Sequence, residues 1–203
     1  MLHYSTVEPR TLELLKKLQS LPFLDKFYLV GGTAIALHLG HRVSVDLDMF
    51  SFEDFESTNL QEKLSESFDE MDQVIQSSGT LLCFLKGIKT DFIRYKYPPQ
   101  YPSFEENGIR LLALEDLIPM KLSAIAGRGR KKDFYDVYFL LRHYPLSEML
   151  ALYEAKFPQS SVFHLLKSLV YFEDAEPDSD PILFENAPWK SVKKAVQQAV
   201  GKL

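Results

Sequence analysis

The pattern of apolar and polar positions changes twice between residues 27 and 50. Residues 27–30 are all apolar or aromatic and precede two glycines, which is typical of a short buried strand that ends in a tight turn. The residues from Thr33 to Leu39 favour a short helix, and Gly40 is expected to end it. From Ser44 to Phe50 polar and apolar residues alternate, which predicts a second strand.

The same periodicities predict further strands and helices. Residues 80–85 and 88–95 are strand-like runs around the turn residues Lys86 and Gly87, which predicts a hairpin. Apolar stripes at helical spacing predict helices at 11–20, from Leu60 through Met71 to Ile75, at about 115–126, and near 150–157, 162–170 and 189–200. The chain is therefore expected to combine a small sheet with many helices.

Two aspartates stand out in the alternating strand. Asp46 and Asp48 share one face because strand side chains alternate with a period of two, whereas Val45, Leu47 and Met49 are expected to face the core. Carboxylates about 7 Å apart along a strand would repel each other in a cleft. A hard divalent cation turns that repulsion into oxygen ligation, as Mg²⁺ does with substrate phosphates. The pair therefore predicts a metal site.

The glycine turn has a complementary chemistry. Gly31 and Gly32 let the backbone approach a ligand closely, and the first turn of the following helix offers unpaired N–H groups and the positive end of its dipole. Both features favour an anion such as a triphosphate. A Gly-Gly pair alone is usually a turn, and an Asp-x-Asp pair alone is usually a solvated loop. Their succession in strand–turn–helix–strand order is far more specific.

These residues resemble a known family. Gly31-Gly32, thirteen residues, and then Asp46-Leu47-Asp48-Met49 are similar to the defining motif of the DNA polymerase β-like nucleotidyltransferases. Residues 28–50 resemble, more narrowly, the AbiEii/AbiGii-type toxin nucleotidyltransferases of bacterial abortive-infection and toxin–antitoxin systems. The resemblance implies an α/β nucleotidyltransferase fold, with a small mixed β-sheet flanked by helices and followed by a helical C-terminal region. It also implies transfer of a nucleoside monophosphate from a triphosphate to an acceptor hydroxyl, with release of pyrophosphate.

The resemblance further implies a substrate and partners. A nucleoside triphosphate would be bound by residues of the turn, the helix and the segment that follows it: Gly31, Gly32, Thr33, Arg42 and Ser44. The acceptor would be RNA, and the 3′ end of a transfer RNA is one choice. A cognate antitoxin protein would be the regulatory partner.

The resemblance implies a third carboxylate from a later strand. Asp91, within residues 88–95, is the candidate, and together with Asp46 and Asp48 it would hold Mg²⁺ or Mn²⁺. The resemblance also implies that Asp91 is the base that takes the acceptor proton. An Asp within a β-rich run is locally unfavourable, which supports this role, and an exposed or edge-strand position is the alternative.

Residues 114–141 are similar to the same family's downstream helices. Within them Lys121 is the candidate catalytic cation, since a point charge would stabilise the transferring phosphoryl group. Arg128 lies on the same helix side and is a further nucleotide-binding candidate. Asp136 could orient either cation and resembles an acidic position implicated in the family. Residues 121–136 carry a net charge of +3 in a chain of net charge −5, which suits triphosphate or polynucleotide; a solvated basic turn is the alternative.

Composition agrees with a compact intracellular enzyme. The chain has 203 residues, 46% of them apolar, which is enough to bury a core. Its single cysteine, Cys83, cannot form an internal disulfide. No segment approaches the ~20 consecutive apolar residues of a membrane span, and the N-terminus lacks a signal pattern. A cytoplasmic location with no membrane partner is therefore expected.

A proline-rich connection at residues 97–102 indicates two regions. Residues 1–100 would form the nucleotidyltransferase core. Residues 101–203 would form a mostly helical region that completes the active site with Lys121 and Asp136. Two rival functions remain open: a small-molecule nucleotidyltransferase of the antibiotic-modifying kind, and a non-catalytic nucleotide-binding module. The costly cluster of carboxylates and lysine argues against the second.

Overall fold

A seven-stranded sheet carries the glycine turn and the predicted carboxylates. The computed structural model describes residues 1–203. The strands are β1 (Phe27–Val30), β2 (Leu47–Ser51), β3 (Met71–Ser77), β4 (Thr80–Leu85), β5 (Ile88–Arg94), β6 (Phe104–Glu106) and β7 (Ile109–Leu111), in the order β3-β4-β5-β2-β1-β7-β6. β2 is parallel to β5 and β1 is parallel to β7, whereas the other neighbours are antiparallel. The sheet is mixed, as predicted.

The structure also contains eight α-helices. They are α1 (Pro9–Ser20), α2 (Gly31–Leu39), α3 (Ser57–Ser67), α4 (Leu114–Gly127), α5 (Lys131–Leu140), α6 (Leu146–Lys156), α7 (Val162–Leu169) and α8 (Trp189–Val200). α2 contacts β1 and β2 as well as α4 and α5, so it is enclosed between the sheet and the C-terminal helices. None of these helices has both the length and the apolar character needed to cross a bilayer.

One hydrophobic core runs through both halves of the chain, from Leu2 to Val196. In the central strands Leu47 and Phe92 are fully buried, and Ile118 and Leu122 of α4 belong to the same cluster. β6 and β7 extend the sheet beside β1 although they follow residue 100. The region after residue 100 therefore contributes two strands as well as helices.

The predicted helix from Leu60 to Ile75 is wrong in its second half. α3 ends at Ser67, and Phe68 takes an extended conformation with φ −138° and ψ 125°. Residues 71–77 form the edge strand β3, which pairs with β4 and has a register shift between Asp72 and Ile75. Backbone hydrogen bonding along β4 outweighs the helical spacing of the apolar residues, and Ile75 is 65% exposed.

The alternating strand begins later than its sequence pattern predicts. β2 starts at Leu47, and Leu47 and Met49 are fully buried as expected. Val45, for which the pattern predicts a core position, is 47% exposed. Its neighbour Ser44 donates its backbone N–H to the Thr6 carbonyl at 2.9 Å, so the N-terminal segment takes this stretch away from the sheet.

Candidate active site

The glycine turn brings the backbone against a carboxylate. β1 ends at Val30, and α2 begins at Gly31, whose φ of +68° favours glycine. A Cβ on Gly31 would lie 2.1 Å from Asp48 Oδ2, and a Cβ on Gly32 would lie 2.3 Å from Arg42 Nη2. Neither position can therefore carry a side chain unless Asp48 or Arg42 moves.

The three predicted carboxylates line one cavity. Asp48 and Asp91 lie directly opposite each other on the parallel strands β2 and β5. Asp46 comes two residues before Asp48, just ahead of β2. All three line a cavity of about 470 Å³ together with Gly31 and Gly32. The structure thus brings together groups that are far apart in the sequence.

Burial and mutual repulsion act on these carboxylates. Burial raises the pKa of Asp48, and the charge of Asp91 raises it further. The Oδ1 atom of Asp91 is buried without a hydrogen-bond partner. Two lysines offset part of the negative charge: Lys89 Nζ donates to Asp91 Oδ2, and Lys132 Nζ lies 3.2 Å from Asp46 Oδ2.

This donor set fits a hard divalent cation. An unpartnered carboxylate oxygen beside a second, repelling carboxylate is costly until a cation is bound, and carboxylate oxygen suits Mg²⁺ and Mn²⁺. The side chains are not gathered in advance into a group of three ligands. Asp46 and Asp91 are instead paired with lysines, which a bound cation would compete with. Asp48 and Asp91 are the central pair, with Asp46 beside them.

Lys121 reaches the cavity wall from α4 and is held by two aspartates of α5. Its Nζ lies 2.8 Å from Asp133 Oδ1 and 2.8 Å from Asp136 Oδ2. Burial alone would lower the pKa of Lys121, but the two carboxylates raise it above its ordinary value, so the ammonium keeps its charge. Arg128, just after α4, is 62% exposed, and its Nε lies 3.6 Å from Asp133 Oδ2. Asp133 thus contacts both predicted cations.

Arg42 and Asp136 lie behind the cavity rather than in it. Arg42 Nε and Nη2 donate to the two oxygens of Asp136 at 2.6 and 3.0 Å, and His41 Nε2 lies 2.7 Å from Asp136 Oδ1. Both members of the pair are buried, and neither lines the cavity. These positions favour a role in positioning the glycine turn and Lys121 over direct contact with a nucleotide.

Thr33 and Ser44 connect α2 to the segment before β2. Thr33 Oγ1 lies 2.9 Å from Ser44 Oγ and also contacts the backbone carbonyl of Asp46. Both residues line the cavity, and both are buried. They fix the backbone that presents Asp46, and their predicted contacts with a nucleotide stay predictions.

Three residues that the structure places in or behind the cavity do not stand out in the sequence. Lys89 precedes Asp91 by two positions and so lies on the same face of β5, a signal that strand periodicity contains. Lys132 is visible in the sequence only as part of a basic turn. His41 pairs with a residue 95 positions away, and nothing in the local sequence indicates that contact.

Known proteins resemble the chain in sequence and in fold. A family model described as nucleotidyl transferase AbiEii toxin, type IV toxin–antitoxin system, matches residues 13–202. An uncharacterized protein of Aquifex aeolicus is 39% identical over 172 residues, which cover 82% of this chain and 83% of the relative.

Solved structures share the fold at low sequence identity. MenT4, a nucleotidyltransferase toxin of Mycobacterium tuberculosis, is 14% identical with a TM-score of 0.61, and the match covers 95% of this chain and 83% of MenT4. JHP933 of Helicobacter pylori is 18% identical with a TM-score of 0.54 and coverage of 97% and 94%. Since the family model spans nearly the whole chain and the cavity contains the family's glycine turn and aspartate pair, this protein belongs to the AbiEii family of nucleotidyltransferase toxins.

Proposed function

We propose that this protein transfers a nucleoside monophosphate from a nucleoside triphosphate to a hydroxyl of an RNA acceptor. The acceptor oxygen forms a bond to the α-phosphorus, the bond from the α-phosphorus to the bridging oxygen breaks, and pyrophosphate leaves. The reaction depends on Mg²⁺ or Mn²⁺.

One observation supports this proposal most strongly. Asp48 and Asp91 face each other beside the Gly31-Gly32 turn, and one oxygen of Asp91 is buried without a partner. Phosphoryl transfer needs this combination of a backbone turn open to phosphate oxygens and carboxylates that can hold a cation. A cation held by Asp46, Asp48 and Asp91 would neutralise charge on the reacting phosphate.

The chain's own residues have separate tasks in this proposal. The N–H groups at the start of α2 bind phosphate oxygens, and Lys121, kept protonated by Asp133 and Asp136, stabilises the charge that develops on the phosphate. Asp91 takes the proton of the acceptor hydroxyl. Arg128 and Lys132 at the cavity mouth bind the β- and γ-phosphates or the leaving pyrophosphate.

The RNA acceptor and the antitoxin are proposed from the family. Type IV toxin–antitoxin membership implies a cognate antitoxin, and the 3′ end of a transfer RNA would offer a free hydroxyl. The basic residues between α4 and α5 lie beside the cavity and suit a phosphate backbone. A small-molecule hydroxyl is the competing acceptor.

The test is transfer of label from each of the four α-³²P-labelled nucleoside triphosphates. Purified protein is incubated with total bacterial RNA and Mg²⁺, with Mn²⁺, or with EDTA, and the products are separated on a gel. Label on RNA that requires the metal and one or more triphosphates supports the proposal and names the base. Label that moves from the triphosphate to a product other than RNA would contradict the RNA acceptor, and label that stays in the triphosphate under every condition would contradict the transferase.

A further inference from the structure

The cavity is polar at one end and apolar at the other. The polar end contains the glycine turn, Ser44, Asp46 and Lys132. The apolar end is lined by Phe50, Ile93, Tyr95, Leu117 and Met120. The predicted catalytic residues give the polar end a function, and none of them gives a function to the apolar end.

The sheet arranges these groups in successive rows. Phe50 lies opposite Ile93, as Asp48 lies opposite Asp91 in the same parallel pair. Each apolar residue is two positions beyond its aspartate, so it lies on the same face and about 7 Å further along the strand. Tyr95 follows Ile93 by two positions, and its ring lies 5.1 Å from the ring of Phe50. An apolar floor thus continues directly from the carboxylates.

The opposite wall of the cavity is α4, and its lining also changes from apolar at one end to polar at the other. Near its N-terminus Asp116 accepts hydrogen bonds from the backbone N–H groups of Gln100 and Tyr101 at 2.9 to 3.1 Å, which places this end beside the segment that follows Tyr95. Beyond its C-terminus Lys132 Nζ lies 3.2 Å from Asp46 Oδ2. Leu117 therefore covers the aromatic end of the cavity, and the basic turn covers the polar end.

We propose that the apolar end binds the nucleobase of the nucleoside triphosphate, packed between Phe50 and Tyr95 on one side and Leu117 and Met120 on the other. This inference rests on the proposed function. Phosphates at the start of α2 and a base at Tyr95 place the α-phosphate between them, at the carboxylates. A flat ring with an apolar face fits these walls, and stacking on an aromatic side chain does not depend on which base is bound.

Tyr95 supplies the only hydroxyl among these five residues. Burial raises its pKa to about 12, with further contributions from Tyr97 and Tyr153, so the phenol stays neutral and can donate a hydrogen bond to the base. One hydroxyl gives limited discrimination between bases. Tyr95→Phe is therefore expected to change the ratio of affinities among the four triphosphates, and Tyr95→Ala is expected to weaken all of them.

The experiment compares two ligands of the intact protein by calorimetry in Mg²⁺. One is a set of nucleoside triphosphate analogues with a non-hydrolysable α,β-bridge, and the other is inorganic tripolyphosphate, which has no base. For Tyr95→Ala and for Met120→Ala, the affinity for the nucleotides falls about ten- to a hundredfold, and the affinity for tripolyphosphate is unchanged. Tyr101→Ala is the matched control: Tyr101 is 39% exposed, does not line the cavity and keeps its backbone contact with Asp116.

Three results would overturn the subsite. The first is an unchanged nucleotide affinity in both variants. The second is an equal loss of nucleotide and tripolyphosphate affinity, which would place the effect at the phosphate end. The third is a raised KM for RNA with unchanged nucleotide affinity, which would assign the apolar end to the acceptor. A wild-type protein that binds neither ligand would instead contradict the proposed function itself.

Discussion

The guanidinium of Arg42 lies directly beneath Gly32 and holds Asp136 with hydrogen bonds of 2.6 and 3.0 Å. The two partners are 94 residues apart in the sequence. Asp136 also lies 2.8 Å from Lys121 Nζ, so one buried carboxylate connects the glycine turn to the cation of the cavity wall. A substitution of Arg42 or Asp136 is therefore expected to affect the glycine turn and Lys121, although neither residue lines the cavity.

Arg42→Met tests the pair by stability. Removing one partner of a buried ion pair leaves the other without full compensation, which typically costs about 3–5 kcal/mol. We expect the free energy of unfolding, measured by urea titration, to fall by about 3 kcal/mol, because Lys121 and His41 still contact Asp136. Arg94→Met is the matched control, since Arg94 pairs with Asp54 at the surface and such pairs contribute about 0–1 kcal/mol. Equal losses in the two variants would contradict the role given to Arg42.

Asp136 predicts how stability depends on pH. Burial alone would raise its pKa, but Arg42, Lys121 and the hydrogen bonds bring it well below the usual value of 3.8. Because the unfolded chain binds this proton more readily, the stabilisation is complete above about pH 5 and is lost as the pH falls below it. In Asp136→Asn the free energy of unfolding should be lower at pH 7 and should fall less between pH 5 and pH 3. Asp69→Asn, at an exposed position, is the control for the Asp-to-Asn change itself and should have the wild-type free energy of unfolding at pH 7.

A comparison of Gly31→Ala with Gly87→Ala separates the cost of a left-handed backbone from the cost of a steric clash. The new Cβ would lie 2.1 Å from Asp48 Oδ2 at a φ of +68°, whereas Gly87 has a φ of +75° and a Cβ there would meet nothing within 4 Å. Gly87→Ala should cost only the left-handed conformation, about 1–2 kcal/mol, and should keep nucleotidyl transfer. Gly31→Ala should displace Asp48 as well and reduce transfer at least a hundredfold. If both variants retain the same activity, the close contact with Asp48 has no function.

The local chemistry of the site could be predicted from the sequence, because it depends on short-range periodicity. A strand period of two places Asp48 and Asp91 on defined faces, and the two glycines at the start of α2 indicate a turn after β1. The periodicity of the sequence does not indicate that β2 pairs with β5, or in which register. The parallel alignment of Asp48 with Asp91 is a tertiary result, and the family resemblance implied only that a later strand supplies a third carboxylate.

The elements that were predicted wrongly or missed from the sequence also have physical explanations. The stripe from Leu60 to Ile75 fits a helix, yet residues 71–77 gain hydrogen bonds by pairing with β4, and a window of the sequence cannot show that partner. β6 and β7 have three residues each, too few to show alternation. Arg42 is a different case: it lies in the motif and is predicted to bind the nucleotide, the structure buries it against Asp136, and the nucleotide contact stays a prediction.

Divalent cations should stabilise the protein through Asp48. Burial and the charge of Asp91 raise the pKa of Asp48, so its ionised form at pH 7 destabilises the folded state in the absence of a cation. Without a divalent cation, Asp48→Asn should unfold at the same temperature as wild type or higher. Mg²⁺ at 100 times Kd should stabilise wild type by about 2.7 kcal/mol, and Asp48→Asn should respond far less. A melting temperature of wild type that Mg²⁺ leaves unchanged would contradict the cation site.

The most direct measurement of the central claim is metal-dependent nucleotidyl transfer by wild type, Asp48→Asn and Asp69→Asn under identical conditions. The carboxylate pair beside the glycine turn is proposed to hold the cation that the transfer requires. Loss of one ligand should remove several kcal/mol of transition-state stabilisation, so Asp48→Asn should be about a thousandfold slower while remaining folded. Asp69→Asn should match wild type. A folded Asp48→Asn protein with full activity that still requires metal would contradict the assignment of this site.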